Sequence, residues 1–180
     1  CAGMEQLTNV VFADNILVIP SYILYDCQSV TNVTLPEGVT TIGAYAFFNC
    51  VELREIELPT TLTTIEEEAF TCCGNVTNFV LPEGLESIGS HAFWGTGITE
   101  ITIPSTLENV IEPFAGCDNL KKISFENKCT KVADTLFYDC NALTSITIPD
   151  GVTSIGSFAF SDCDALTAIT IQNSECEIHD

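Results

Sequence analysis

The chain repeats itself in register, and nothing else about it constrains the fold so tightly. "GVTSIGSFAFSDCDALTAITI" (Gly151 to Ile171) nearly reproduces "GVTTIGAYAFFNCVELREIEL" (Gly38 to Leu58). The recurring step that is usually Leu-Pro or Ile-Pro falls at Leu35, Leu58, Leu81, Ile103, Phe125, Ile148 and Ile171, spaced 23, 23, 22, 22, 23 and 23 residues apart. Phe12 stands one further period upstream. One residue is missing beside Gly97 and another before Phe114, which accounts for the two short steps. A period in this range marks stacked units, none of which can bury its apolar side alone. Residues 1–180 therefore read as one array of about eight 22–23-residue repeats, with no linker or change of composition inside it.

Each repeat resolves into parts. In "LTSITIPDGVTSIGSFAFSDC", Ile146 and Ile148 alternate with Ser145 and Thr147, the period-2 signature of a half-buried strand. Pro149 cannot donate to a longer ladder and stops it. Asp150-Gly151 turns the chain, and Val152 and Ile155 point inward. Gly156 then opens what the spacing of Ala159, Phe160 and Cys163 predicts to be a short helical turn. Strands one period apart would form a parallel sheet about 35 Å long at ~4.8 Å per strand. Beneath it the pattern predicts a ladder of Phe47, Phe70, Phe93, Phe114, Phe137 and Phe160, with Leu24 in the earliest place.

The pattern Leu-x-x-Ile-x-Ile-Pro followed by x-x-Val-x-x-Ile-Gly-x-x-Ala-Phe-x-x-Cys resembles the BspA-like class of leucine-rich repeats over essentially the whole chain. The resemblance implies a leucine-rich-repeat solenoid of the α/β class: a right-handed coil with a parallel sheet of about eight strands on its concave face and short helical turns and loops opposite. It also implies an extracellular or cell-surface setting and a role in adhesion and protein binding rather than catalysis. Three places depart from the pattern: Gly95-Thr96-Gly97 where a Cys is expected, Pro113 for Ala, and Glu126 for Pro.

Of ten cysteines, six share one phase: Cys27, Cys50, Cys73, Cys117, Cys140 and Cys163. A ladder of buried thiols is expected, since free Cys is among the most buried residue types. Disulfides between neighbouring coils are the alternative, with Cα spacing that permits them and parallel side chains that do not favour them. Cys72, Cys129 and Cys176 are out of phase. No C-x-x-C occurs, and no metal or cofactor is expected.

Catalytic chemistry finds little support. His91 and His179 are the only bases near neutral pH, and no phosphate loop or recognisable nucleophile motif is present. The chain is expected not to be an enzyme. With 25 acidic and 5 basic residues the net charge is −20, which repels nucleic acid and anionic membranes. No apolar run reaches the ~18 residues of a membrane span, so membrane insertion is not expected. Lys121, Lys122, Lys128 and Lys131 crowd into one degenerate repeat, either as a solvated surface or as a positive island on an acidic rod.

In a solenoid the varied positions that face outward from the sheet are the natural binding surface. Along the strands these are Asn32 and Thr34, Glu55 and Glu57, Asn78 and Val80, Glu100 and Thr102, Lys122 and Ser124, and Ser145 and Thr147, with Ala168 and Thr170 beyond. The expected ligand is a protein or a glycan. By phase, Cys1 corresponds to Leu24, Met4 to Cys27 and Asp180 to Ser21, so the chain starts and stops mid-repeat. That raises a second expectation, a structural protein that stacks end to end on other copies into a filament.

Overall fold

The computed structural model describes residues 6–179; the phase assignments at Cys1, Met4 and Asp180 lie outside them. Among the described residues fifteen short strands, all paired in parallel, follow one another round a solenoid of about seven turns. They fall into two ladders. One holds the outward-facing strands the sequence predicts: β1 (Asn9–Val11), β3 (Asn32–Thr34), β5 (Glu55–Ile56), β8 (Glu100–Ile103), β10 (Lys122–Phe125), β12 (Ser145–Ile148) and β14 (Ala168–Ile171). The register is set by the repeat, as in Asn32↔Glu55 and Ile146↔Ile169. This sheet is not one continuous run of eight strands. It forms as β1-β3-β5, β8-β10 and β12-β14, with Asn78 joined to Glu100 by a single bridge.

A second ladder was not anticipated from the pattern. It is built from β2 (Val18–Ile19), β4 (Thr41–Ile42), β6 (Thr64–Ile65), β7 (Ser87–Ile88) and β9 (Asn109–Val110), and then from β11 (Lys131–Val132), β13 (Ser154–Ile155) and β15 (Glu177–Ile178). Coils approach closely where it ends. A Cβ on Gly43 would come within 2.5 Å of the Ser21 amide nitrogen, which explains the Gly after Ile42.

The expected helical turns are absent: no residue from 6 to 179 is helical, so the array is all-β rather than α/β. In their place the chain makes successive β-turns. Ala46 donates to the Gly43 carbonyl, Phe48 to Tyr45, Cys50 to Phe47 and Leu53 to Cys50, each an i→i−3 bond of 3.0–3.2 Å. The residues between them donate out of the coil instead. Tyr45 N–H reaches Glu67 O at 2.9 Å, and Phe47 and Asn49 reach Ala69 O and Thr71 O at 2.8 Å. An α-helix would keep all these donors for itself; the turns give about half of them to the next coil.

This path needs two left-handed residues in each coil, four positions apart. One column holds Asp26, Asn49, Cys72, Gly95, Gly116, Asp139 and Asp162, mostly types that tolerate positive φ. The other holds Tyr22, Tyr45, Glu68, His91, Glu112, Thr135 and Phe158, at φ from 44° to 61°.

The core runs the length of the rod as one cluster. Phe47, Phe70, Phe93, Phe114, Phe137 and Phe160 stack in sequence with centroids 5.2–5.7 Å apart and planes within 18°. The phase of the repeat predicts this ladder correctly. Phe79 adds an edge contact to Phe93 at 4.8 Å.

At one level, among the described residues, all backbone pairing between coils is interrupted. Between the unit Asn109 to Phe125 and the unit Lys131 to Ile148, β9 does not pair with β11, nor β10 with β12. The turn bonds that elsewhere join neighbouring coils also stop there. The hydrogen bonds that cross involve side chains: Glu112 N–H to Thr135 Oγ1 at 3.3 Å, Cys140 Sγ to Phe114 O at 3.4 Å, and Asn141 Nδ2 to Asp118 Oδ1 at 3.3 Å. The residue missing before Phe114 falls at this seam, as does Pro113, which lacks the N–H that Ala46 and Ala92 give within their own coils.

Two outcomes follow from this geometry. Phe93→Ala, which opens the middle of the ladder, should lower unfolding stability by about 3–5 kcal/mol in urea titration. Hydrogen exchange by mass spectrometry should find peptides flanking the seam, residues 109–135, exchanging at least about tenfold faster than residues 39–70.

Candidate functional site

The outward residues of the first ladder make a polar floor. Asn32, Thr34, Glu55, Glu57, Asn78, Val80, Glu100, Thr102, Lys122, Ser145 and Thr147 are all exposed, and Ser124 is half-buried. Their inward neighbours Val33, Ile56, Phe79, Ile101, Ile123 and Ile146 are buried, so the strand alternation aims each pair outward.

Two open troughs lie on this floor. One of about 1140 Å³ is lined by Asn32, Thr34, Glu55, Glu57, Asn78 and Val80, among others. The second, about 310 Å³, is lined by Asn78, Val80, Glu100, Thr102, Lys122 and Ser124. Asn78 and Val80 belong to both, so ten of the twelve predicted residues share one floor. Ser145 and Thr147 lie on the same sheet face but line neither trough. They stand beyond the seam, where β10 and β12 no longer pair.

Sequence reasoning missed the walls. Arg54, Thr77 and Asn75 flank the larger trough just before the strands, and Glu37 and Thr60 flank it just after. Glu37 is held there by the Thr60 amide at 3.1 Å and its hydroxyl at 3.0 Å. The Glu37 and Asn75 positions vary from coil to coil, and Arg54 replaces a residue that is Thr at Thr8, Thr31, Thr77, Thr99, Thr144 and Thr167; that was the available signal.

The electrostatics change along the floor. The large trough carries Glu37, Glu55 and Glu57 against the single cation Arg54. In the smaller one Lys122 Nζ meets Glu100 Oε2 at 3.2 Å, an exposed pair worth at most about 1 kcal/mol. Asn32 Nδ2 donates to Asn9 Oδ1 at 3.0 Å, a side-chain bond between neighbouring coils. The floor is thus a surface of hydrogen-bonding groups. Neither trough has a His or Cys in its lining. His91 lies on the turn side, with Nδ1 2.6 Å from Ser90 Oγ and Nε2 3.6 Å from Glu112 Oε2.

The cysteines belong to the core. Cys50, Cys73, Cys117, Cys140 and Cys163 are free and buried. Each thiol donates to a main-chain carbonyl of the preceding coil: Leu24, Phe47, Phe93, Phe114 and Phe137 respectively, at 3.1–3.4 Å. Cys27, the first of the phase, is disulfide-bonded. Cys129, which the pattern left unassigned, is also buried and donates to Ile103 O at 3.3 Å. It fills the inward position that Val39, Leu85 and Val152 fill elsewhere. Thr96 takes the missing Cys place, its hydroxyl donating to Phe93 O at 2.7 Å.

A model of the BspA-type leucine-rich repeat region matches residues 1–113 and 111–180, in six copies. The chain belongs to the BspA-type leucine-rich repeat family. A leucine-rich repeat protein from Bacteroides ovatus is similar in structure, with a TM-score of 0.79 and 29% identity over 90% of this chain. This chain spans 45% of that protein's length. The Treponema pallidum leucine-rich repeat protein gives 0.66 and 24% identity over 96% of this chain and 73% of its own. A leucine-rich cell surface protein from Faecalibacterium prausnitzii gives 0.56 and 20% identity over 97% and 81%. The latter two show the fold alone. No curated protein matches the sequence.

Burial pushes the Cys117 thiol up to about 12, and Cys50 likewise to about 12. An unfolded thiol loses its proton near pH 8.5, so the folded state holds more protons above that pH. The stabilisation is complete below about pH 8.5 and is lost as pH rises toward 12, at about 1.4 kcal/mol per pH unit for a fully buried thiol. Urea midpoints should therefore fall from pH 8 to 11, and Cys117→Thr should lose less over that interval than the parent chain.

Proposed function

We propose that this BspA-type array is a non-catalytic binding module of a cell-surface or secreted protein, and that it recognises a protein or glycan ligand through the sheet face. One observation carries the reading. Ten residues that the repeat leaves free to vary line a single floor, over a core in which the repeated residues are fixed. Selection on stability has little hold on such exposed positions, because surface changes there cost within about 0.5 kcal/mol. The chemistry of the floor fits adhesion. It offers carboxylates, amides and hydroxyls in rows one coil apart, a spacing suited to an extended ligand. It offers no paired nucleophile and base. The leucine-rich repeat fold that the chain shares with a described cell surface protein supports an extracellular location.

Screening the whole chain on protein and glycan arrays tests this. Any ligand found should bind at least about tenfold more weakly to Glu55→Lys/Glu57→Lys, a loss of about 1.4 kcal/mol. It should be little affected by a change at Thr170, outside both troughs. A ligand that binds both variants as tightly as the parent overturns the sheet-face reading. Polymers in light scattering, with no ligand on either array, would favour end-to-end assembly instead.

A further inference from the structure

The turn side of the rod carries a surface of its own. In the first two coils the residues two before and one after the core position are all aromatic. Tyr22 stacks on Tyr45 with centroids 5.0 Å apart and planes at 6°, and Tyr25 stacks on Phe48 at 4.8 Å and 5°. The two stacks lean together at 49° to 55°. They are not core: Tyr22 is 57% exposed and Tyr25 40%.

The rings stand on one of the two left-handed columns of the rod. Tyr22 and Tyr45 sit at φ 61° and 57°. A bulky side chain is disfavoured there by about 1 kcal/mol or more, and Asn, Asp or Gly would be easier. Four residues on, the companion left-handed column uses those easier residues, Asp26 and Asn49. The same column is left-handed in every coil, through Glu68, His91, Glu112, Thr135 and Phe158; what sets the first two coils apart is that it carries stacked, exposed tyrosines.

The surroundings indicate the ligand's charge. The next coil sets Glu67 and Glu68 beside the rings, and Tyr45 Oη donates to Glu68 Oε1 at 3.2 Å. Loss of hydration, followed by the charges of Glu68 and Glu67, pushes the Tyr45 phenol up to about 12. The field at the patch is negative, on a chain of net charge −20.

We propose that Tyr22, Tyr25, Tyr45 and Phe48, with Glu67 and Glu68, form a second binding surface, distinct from the sheet face, for a protein partner that presents arginine side chains. A guanidinium is planar, stacks on tyrosine, and offers a fork of N–H donors to a neighbouring carboxylate. Lysine carries the same charge with neither the plane nor the fork, so arginine is the better fit. The rings are packed against one another and little side-chain freedom is lost on contact, as in aromatic anchors of protein interfaces.

The test uses the whole chain and two labelled peptides of equal length and charge, one of arginine and one of lysine, in fluorescence anisotropy at 150 mM salt. The arginine peptide should bind about fivefold or more tighter than the lysine peptide, in line with stacking added to charge. Tyr22→Asn/Tyr45→Asn should abolish that preference. Asn suits positive φ, so this variant should keep its fold and show an unchanged or higher Tm. Glu67→Gln, at an exposed site, should weaken the arginine peptide by about two- to fivefold and serves alone if the tyrosine variant fails to fold. Glu55→Lys/Glu57→Lys should leave the arginine-to-lysine ratio unchanged. Equal binding of the two peptides overturns the proposal, as does a preference that survives the tyrosine variant. A neutral oligosaccharide that binds the parent and is lost in Tyr22→Asn/Tyr45→Asn would also overturn it, and would assign the rings to sugar stacking.

Discussion

Hydrogen bonding from coil to coil is what the rest of this structure depends on. Strand residues pair with the same phase one period away, and alternate turn residues give their N–H to the next coil. A single repeat has neither partner. Its amides would be left to water and its Phe and Ile would remain exposed, so the unit has no fold of its own. Stacking satisfies both at once, and like residues must then meet like. The Phe column is a consequence of that register: once the backbones are locked 23 residues apart, the rings have nowhere to lie but over one another.

The cysteine column shows the same logic working on polar groups. A thiol three residues after each core aromatic lies under the carbonyl of the coil before, and that carbonyl already accepts its own turn bond, as Phe47 O does from Cys50 N–H. Burial keeps the Cys50 and Cys117 thiols protonated and so keeps them donors. Thr96 shows that the place wants a small buried donor rather than sulfur chemistry. A ladder of this kind is shielded from oxidants because its sulfurs are out of reach of solvent, which reconciles many free thiols with the extracellular setting proposed above.

Much of this was legible because a repeat is read many times over. The Phe column, the in-phase cysteines and the outward pairs from Asn32 to Thr147 needed only the phase. The turns were misread because Ala159, Phe160 and Cys163 share one inward side either in a helix or in successive β-turns. The clue lay in Asp26, Asn49, Gly95, Gly116, Asp139 and Asp162, a column of residues at ease with positive φ that a helix would not select. The other left-handed column gave the opposite signal: Tyr45, Glu68, His91 and Phe158 look like ordinary helical or strand residues. The walls of the larger trough were missed for a geometric reason. Arg54 and Glu37 lie beyond the strand ends, and only the path of the chain brings them to the rim.

The seam beside Pro113 separates two blocks within which backbone bonds join each coil to the next. A rod pulled along its axis shares the load among main-chain bonds at every other level, but at this one the Phe114–Phe137 stack and a few side-chain contacts bear it. The weakest plane is therefore written into the chain at a fixed place. Under tension the two pieces would part cleanly there, each keeping its own coils wound, and the molecule would lengthen by a joint instead of unravelling.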